Sequence, residues 1–245
     1  MKNIKVRTKL TIIVALVLVL VASESFISIQ NMNQLKNKAL DTMDTSSRQN
    51  YDDSIKEQVS VVISLLSEIN NEYKAGRYSL DEAKKIAADE IRQMRYGNGG
   101  YFWVDQSDGK NIVLLGNSTE GTNRMNTKDA EGYQMVKEII RVAVQDGGGY
   151  TDYVFPKEGE TEPSPKRSYS EYFKPFDWVV GTGNYTDYID TAIAQQDEEF
   201  TSYASSKAIS LILCSVCMLI VVAILVALIA IDITKSLRKI KEQFE

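Results

Sequence analysis

The sequence predicts an α+β domain: a five-stranded antiparallel sheet with helices packed on it, hung from one long N-terminal helix and carried between two membrane-spanning helices. Three observations lead there. Two long apolar segments lie near the ends of the 245-residue chain. Between them the hydrophobic period is three to four residues at first and two from Tyr101 onward. Turn residues, among them Asp108-Gly109 and Gly147 to Gly149, then cut the period-two region into short strands.

The apolar segments set the topology. Residues 208–231 form a run of 24 without a charge, rich in Leu, Ile and Val, and about 20 such residues span a bilayer as a helix. Cys214 and Cys217 fall inside this run as packing residues, with no further metal ligands nearby. The other segment, residues 10–29, has an uncharged stretch of 14 before Glu24. Its apolar pattern resumes at Phe26, Ile27 and Ile29, which favours an uncleaved anchor. A signal peptide cleaved near Ala22 and Ser23 is the rival reading. Residues 1–9 carry Lys2, Lys5, Arg7 and Lys9 without an acid, and residues 232–245 are also net basic. The positive-inside rule therefore places both termini in the cytoplasm of a plasma or inner membrane protein and residues 30–207 outside.

Each element of the outer segment has its own signal. Tyr51, Ile55, Val59, Val62, Leu66, Ile69 and Tyr73 recur at steps of three and four, so one long helix runs from the membrane to about Tyr73. Its partner is the stretch from Thr186 to Lys207, either within its own domain or as part of a dimeric bundle. A second helix opens on a capping box, Ser79 with Glu82, and shows Leu80, Ala83, Ala87, Ile91 and Met94 on one face. Gly97 to Gly100 ends it as a turn; the sequence there lacks the GK[ST] ending of a phosphate loop. Strands follow at Tyr101–Asp105 and Asn111–Leu115, joined by Asp108-Gly109. A loop from Gly116 to Lys128 leads to a helix whose buried face is Tyr133, Val136, Ile140 and Ala143. Three more strands are predicted near Tyr150–Phe155, Arg167–Lys174 and Trp178–Tyr185. The proline-rich stretch from Pro156 to Lys166 reads as a loop.

Composition excludes much chemistry. The chain has no histidine, which removes His-dependent triads, the common His-containing zinc sites and internal phosphohistidine. Of 28 basic and 33 acidic residues, the two basic ends hold eight and three, leaving 20 basic against 30 acidic in residues 10–231. Nucleic-acid binding is disfavoured by that balance. Carboxylates such as Asp105, Asp108, Asp152 and Glu171 have no recognisable nucleophile or metal cluster beside them, so no catalytic residue, metal or cofactor is predicted. A pocket with a few fixed cations in this acidic segment would instead select small anions. The candidate cations are Arg95, Lys166 and Arg167; Tyr101, Trp103, Tyr153 and Tyr169 supply apolar walls with polar tips.

The ordered set Tyr101-Phe102-Trp103, Asp108-Gly109, Glu120 to Asn123, Gly148-Gly149-Tyr150, Pro163 to Tyr169 and Phe176 to Tyr185 resembles the single Cache domain of bacterial transmembrane receptors, a PAS-like fold of the sCache_2 type. The tail from Ile233 to Ile240 resembles the opening of a HAMP signal-relay helix, with Ser236 where proline is usual. The resemblance implies the sensory region of a methyl-accepting chemotaxis receptor, whose output domain follows residue 245; the same sensor on a histidine kinase or a cyclic-dinucleotide enzyme is the alternative. A structural membrane protein without a ligand is a third reading. The resemblance further implies a homodimer, a short carboxylate such as acetate, propionate or pyruvate as ligand, and Tyr101, Trp103, Lys166 and Tyr169 lining its cavity. Many relatives carry His-Pro after the second strand, where this chain reads Leu114-Leu115-Gly116-Asn117; Arg124 is a candidate replacement. Lys166 and Tyr169 are three residues apart and share a cavity only if the strand is irregular near Pro165. Ligand binding would shift a two-state equilibrium that the helix from Thr186 carries to the second span.

Overall fold

The computed structural model describes residues 6–97, 99–157 and 159–242, so the basic residues Lys2 and Lys5 and the last three residues lie outside the described region. The chain divides into two units, Met1–Thr42 with Ile193–Glu245, and Met43–Ala192. The first is helical, formed by the outer parts of α1 (Val6–Lys74) and α4 (Asp187–Glu242). Both helices contain stretches long and apolar enough to cross a membrane. Leu16, Val19, Leu213 and Ile224 there are exposed to more than 40%, as lipid-facing side chains would be. Within this unit Lys36 joins the two helices by an ion pair to Asp197 at 2.8 Å and a hydrogen bond to Thr201 at 3.1 Å.

The second unit is the α+β domain. Its elements after α1 are α2 (Leu80–Gln93), β1 (Arg95–Tyr96), β2 (Gly100–Gln106), β3 (Asn111–Leu114), α3 (Met135–Asp146), β4 (Gly149–Pro156), β5 (Pro163–Phe173) and β6 (Trp178–Tyr185), before α4. The sheet runs β1-β2-β6-β5-β4, with β3 also paired to β2, and every pairing is antiparallel. It has six strands where five were expected. The extra one, β1, exists because the turn after Tyr96 folds Arg95 and Tyr96 back onto Tyr101 and Gly100. A Cβ at Gly100 would meet the Tyr96 ring at 2.5 Å, so only glycine allows this hairpin.

Alternation along the strands separates two faces. One face holds Phe102, Val104, Tyr169, Phe173, Trp178 and Val180, all buried, and receives α1. The Tyr51 hydroxyl donates to Arg167 O at 2.8 Å and accepts the Asn184 N–H, while Asp52 takes the Arg167 guanidinium in a two-bond pair of 2.5 and 2.7 Å. The predicted seam from Tyr51 to Ile69 is buried within the single chain. That part of the helix is thus packed on its own domain, the first of the two arrangements its seam allows. The capping box of α2 forms as expected, with the Ser79 hydroxyl and backbone N–H engaging Glu82. Ala83, Ala87 and Ile91 face the core.

Two boundaries differ from the sequence reading. β5 begins at Pro163 and not at Arg167, so the supposed loop contributes strand. Pro165 O accepts the Thr186 N–H, which shows that residue 165 turns its hydrogen-bonding side to the edge where β6 has ended. The missing proline N–H therefore breaks no ladder bond, and Pro163, two residues earlier, has the same orientation. α3 begins at Met135, leaving Tyr133 outside the helix and exposed. Asp129 is the reason: its carboxylate takes the backbone N–H groups of Glu131 and Tyr133 and holds this segment in a turn.

Candidate functional site

The second face of the sheet meets α3 and the loop of residues 115–134, and between them lies a cavity of about 20 Å³, enough for a group of water size. Its walls come from β2 (Tyr101, Trp103), β4 (Tyr153, Phe155), β5 (Lys166), the loop (Arg124) and the first turns of α3. Tyr101 also lines a larger groove of about 870 Å³ that runs past the Gly97–Gly100 turn, Lys157 and Tyr188.

Lys166 is the centre of the arrangement. Its parity on a regular β5 points it into the cavity, where it is 2% exposed. The ammonium donates to the Tyr101 hydroxyl at 3.0 Å and lies 4.7 to 5.7 Å from the ring centroids of Tyr101, Tyr185, Phe155 and Trp103. Aromatic faces attract a cation, but they do not replace its hydration. No carboxylate pairs with Lys166 among the described residues. Burial, and then the nearby Arg124 charge, pull its pKa down to about 7.

Arg124 reaches the same cavity from the loop. Its guanidinium is held by Asp105 in a two-bond pair of 2.7 and 2.6 Å. Asp105 is fully buried and also accepts from Asn111 Nδ2 at 3.0 Å. A β-bulge between β2 and β3 sets Asn111 opposite Asp105. The loop itself is pinned by Glu120, which accepts the N–H groups of Leu114 and Gly116 and bonds Arg92, and by the Arg124 N–H on Gly109 O. Burial raises the Tyr153 hydroxyl pKa well above its ordinary value, so it stays a neutral donor. The Trp103 ring sits against Gly181 of β6, where a Cβ would stand 2.5 Å from it, so this close approach needs glycine there. The Trp103 Nε1 and Ser170 Oγ atoms are buried with no hydrogen-bond partner among the described residues.

Four of the seven candidates from the sequence, Tyr101, Trp103, Tyr153 and Lys166, come together in this cavity. The other three lie elsewhere. Tyr169 is on the opposite face, packed on Tyr150 and beneath Lys56, because β5 is regular and three residues of strand reverse the side. Arg95 donates to the carbonyl oxygens of Arg92 and Met94 at the end of α2. Arg167, the remaining candidate cation, is on the α1 face with Asp52 and Asp152. Arg124, considered only as a substitute, is a wall residue in its own right. A signal for it existed in the sequence: Asp105 shares the inward parity of Tyr101 and Trp103, and a carboxylate on a core-facing position needs a cation. Phe155, Met135 and Ile139 were missed because no charge or motif marks them.

The geometry is that of a small chamber with two cations, three hydroxyl-bearing or indole walls and apolar sides. Residues 47–199 match the family model Single Cache domain 2. The methyl-accepting chemotaxis protein McpP of Pseudomonas putida is 32% identical over 123 residues, covering 50% of this chain and 23% of that protein. The sensor histidine kinase MctS of Rhizobium johnstonii is 33% identical over 177 residues, covering 71% and 37%. The chain thus spans less than two fifths of the length of either relative. A solved Cache chemosensory domain described for carboxylic acid recognition aligns with a TM-score of 0.55 and 27% identity, over 58% of this chain and 97% of its own. The periplasmic sensor domain of a chemotaxis protein aligns at 0.54 and 30%, over 58% and 96%. Taken with the six-stranded antiparallel sheet and its long first helix, these matches place the chain in the single Cache domain 2 family.

Proposed function

We propose that this chain is the sensing and anchoring part of a transmembrane chemotaxis receptor whose Cache domain binds a short-chain carboxylate at Lys166. The observation that carries this reading is a buried ammonium with no carboxylate partner among the described residues, set beside Arg124 in a cavity lined by Tyr101, Trp103 and Tyr153. An incoming carboxylate supplies the counter-charge that Lys166 lacks, and tyrosine hydroxyls donate to its oxygens. As it stands the cavity holds a water-sized group, so a ligand enters by moving its walls outward, and an acid of few carbons needs the least movement. Residues 10–29 and 208–231 serve as the two spans, with basic flanks favouring cytoplasmic termini, a homodimeric assembly and a HAMP segment starting near residue 232. The match to a histidine kinase over 71% of the chain supports a second reading, in which the same sensor drives a kinase.

The test is calorimetry on the 245-residue chain in nanodiscs with acetate, propionate, butyrate and amino acids. Saturable heat with a short carboxylate, lost in Lys166→Met but kept in Arg95→Ala, is the expected result. Equal binding by wild type and Lys166→Met would overturn the site.

A further inference from the structure

We propose that Lys166 is a reactive amine as well as an anion contact, and that the cavity captures small 2-oxo carboxylates by forming a reversible imine between the lysine nitrogen and the ligand's keto carbon. This rests on the reading of the Lys166 cavity as the ligand site. Four features of the structure converge on it. The amine is buried and unpaired by any carboxylate among the described residues. A hydroxyl, that of Tyr101, stands 3.0 Å from the nitrogen, within reach of both the amine and an oxygen bound beside it. A second cation, Arg124, lines the same cavity and can hold the ligand's carboxylate while its hold on Asp105 fixes its position. Aromatic rings surround the nitrogen on several sides.

Desolvation in an apolar site and a neighbouring cation are the two devices that make a lysine nucleophilic, and both are present. The pKa near 7 leaves much of the amine uncharged at neutral pH. The uncharged nitrogen adds to the keto carbon, and the carbonyl oxygen takes a proton from the Tyr101 hydroxyl. That oxygen then leaves as water with the two amine hydrogens, one relayed through Tyr101, as the C=N bond forms. No oxidant or reductant is consumed. Protonation of the imine gives a cation with little need of water, and the faces of Tyr101, Trp103, Phe155 and Tyr185 suit such a charge. A carboxylate without the keto group can occupy the cavity only through ionic contacts. The proposal therefore separates two ligands of nearly equal size and shape, pyruvate and propionate.

The experiment treats the chain in nanodiscs with pyruvate and cyanoborohydride, which reduces an imine to a stable secondary amine, and maps the adduct by peptide mass spectrometry. The expected result is an adduct at Lys166, formed at least ten-fold faster than at any surface lysine. Propionate in excess suppresses it, and Tyr101→Phe, which removes the relaying hydroxyl, slows it. Modification spread evenly over exposed lysines, with Lys166 spared, would overturn the proposal. Calorimetric binding of both acids without an adduct would do the same yet leave the carboxylate site standing. Binding of neither acid would remove that site as well. Because Lys166→Met has no amine to trap, competition by propionate on the unmodified chain serves as the control that does not depend on how a variant folds.

Discussion

Raising the pH from 6 to 9 is expected to weaken propionate binding about a hundred-fold, and the size follows from Lys166. In the free site its pKa is near 7, lowered by burial and by Arg124. A carboxylate bound against the ammonium stabilises the charged form and returns the pKa toward the ordinary lysine value of about 10.5. Binding therefore takes up a proton wherever the free site has lost one. Below pH 7 the amine is already charged and affinity is flat. Above it, affinity falls about ten-fold per unit, because about 1.4 kcal/mol per unit goes to protonating the amine. Two units to pH 9 give roughly 3 kcal/mol. Titration calorimetry at pH 6, 7, 8 and 9, in buffers of different ionisation enthalpy, measures the affinity and the proton uptake together; uptake approaches one proton at pH 9. In Lys166→Arg the guanidinium stays charged and the profile becomes flat. An affinity for propionate that is constant from pH 6 to 9 in the wild type, with no proton uptake, would refute the argument.

Folding stability moves the other way with pH. Lys166 has a lower pKa folded than unfolded, so between pH 7 and 10.5 the unfolded chain binds more protons and stability rises with pH through that window. The contribution is at most about 5 kcal/mol, and thermal melts of Lys166→Met should lose this slope and lie above wild type at pH 6. Asp105→Asn leaves Arg124 as a largely buried cation without its counter-ion, so a loss of about 3 kcal/mol is expected by denaturant melts, together with weaker propionate binding. Gly181→Ala drives a methyl group to 2.5 Å from the Trp103 ring and 2.6 Å from Ser170 Oγ; a destabilisation of about 1 to 3 kcal/mol follows, and unchanged stability would mean that Trp103 is not held by β6.

Periodicity made the elements legible. The steps of three and four from Tyr51 to Ile69 gave the α1 seam, Ser79 with Glu82 gave the start of α2, and period two gave the strands, because these patterns report local geometry. The pocket was legible where strand parity applies: Tyr101 and Trp103 share a face whatever the rest of the fold does. Residues whose role depends on a distant partner were less so. Nothing adjacent to Arg124 in the chain reveals that its side chain crosses to Asp105, since the loop that delivers it is shaped by Glu120 and the bulge at Asn111.

The sequence by itself determined the class of this protein: two apolar helices around an acidic α+β domain, with no histidine chemistry and an ordered set of aromatic and glycine motifs. Such features are sums or local periods, and they need no knowledge of contacts. Tertiary structure alone decided which cation is enclosed and which is paired. Lys166 and Arg167 are neighbours of similar type, yet the sheet turns one into a closed aromatic chamber and the other onto Asp52 of α1. The same sheet sends Tyr169 away from Lys166. Whether a charge is solvated, paired or stranded depends on what the opposite strand and the covering helix place against it, and that is settled only when the layers pack.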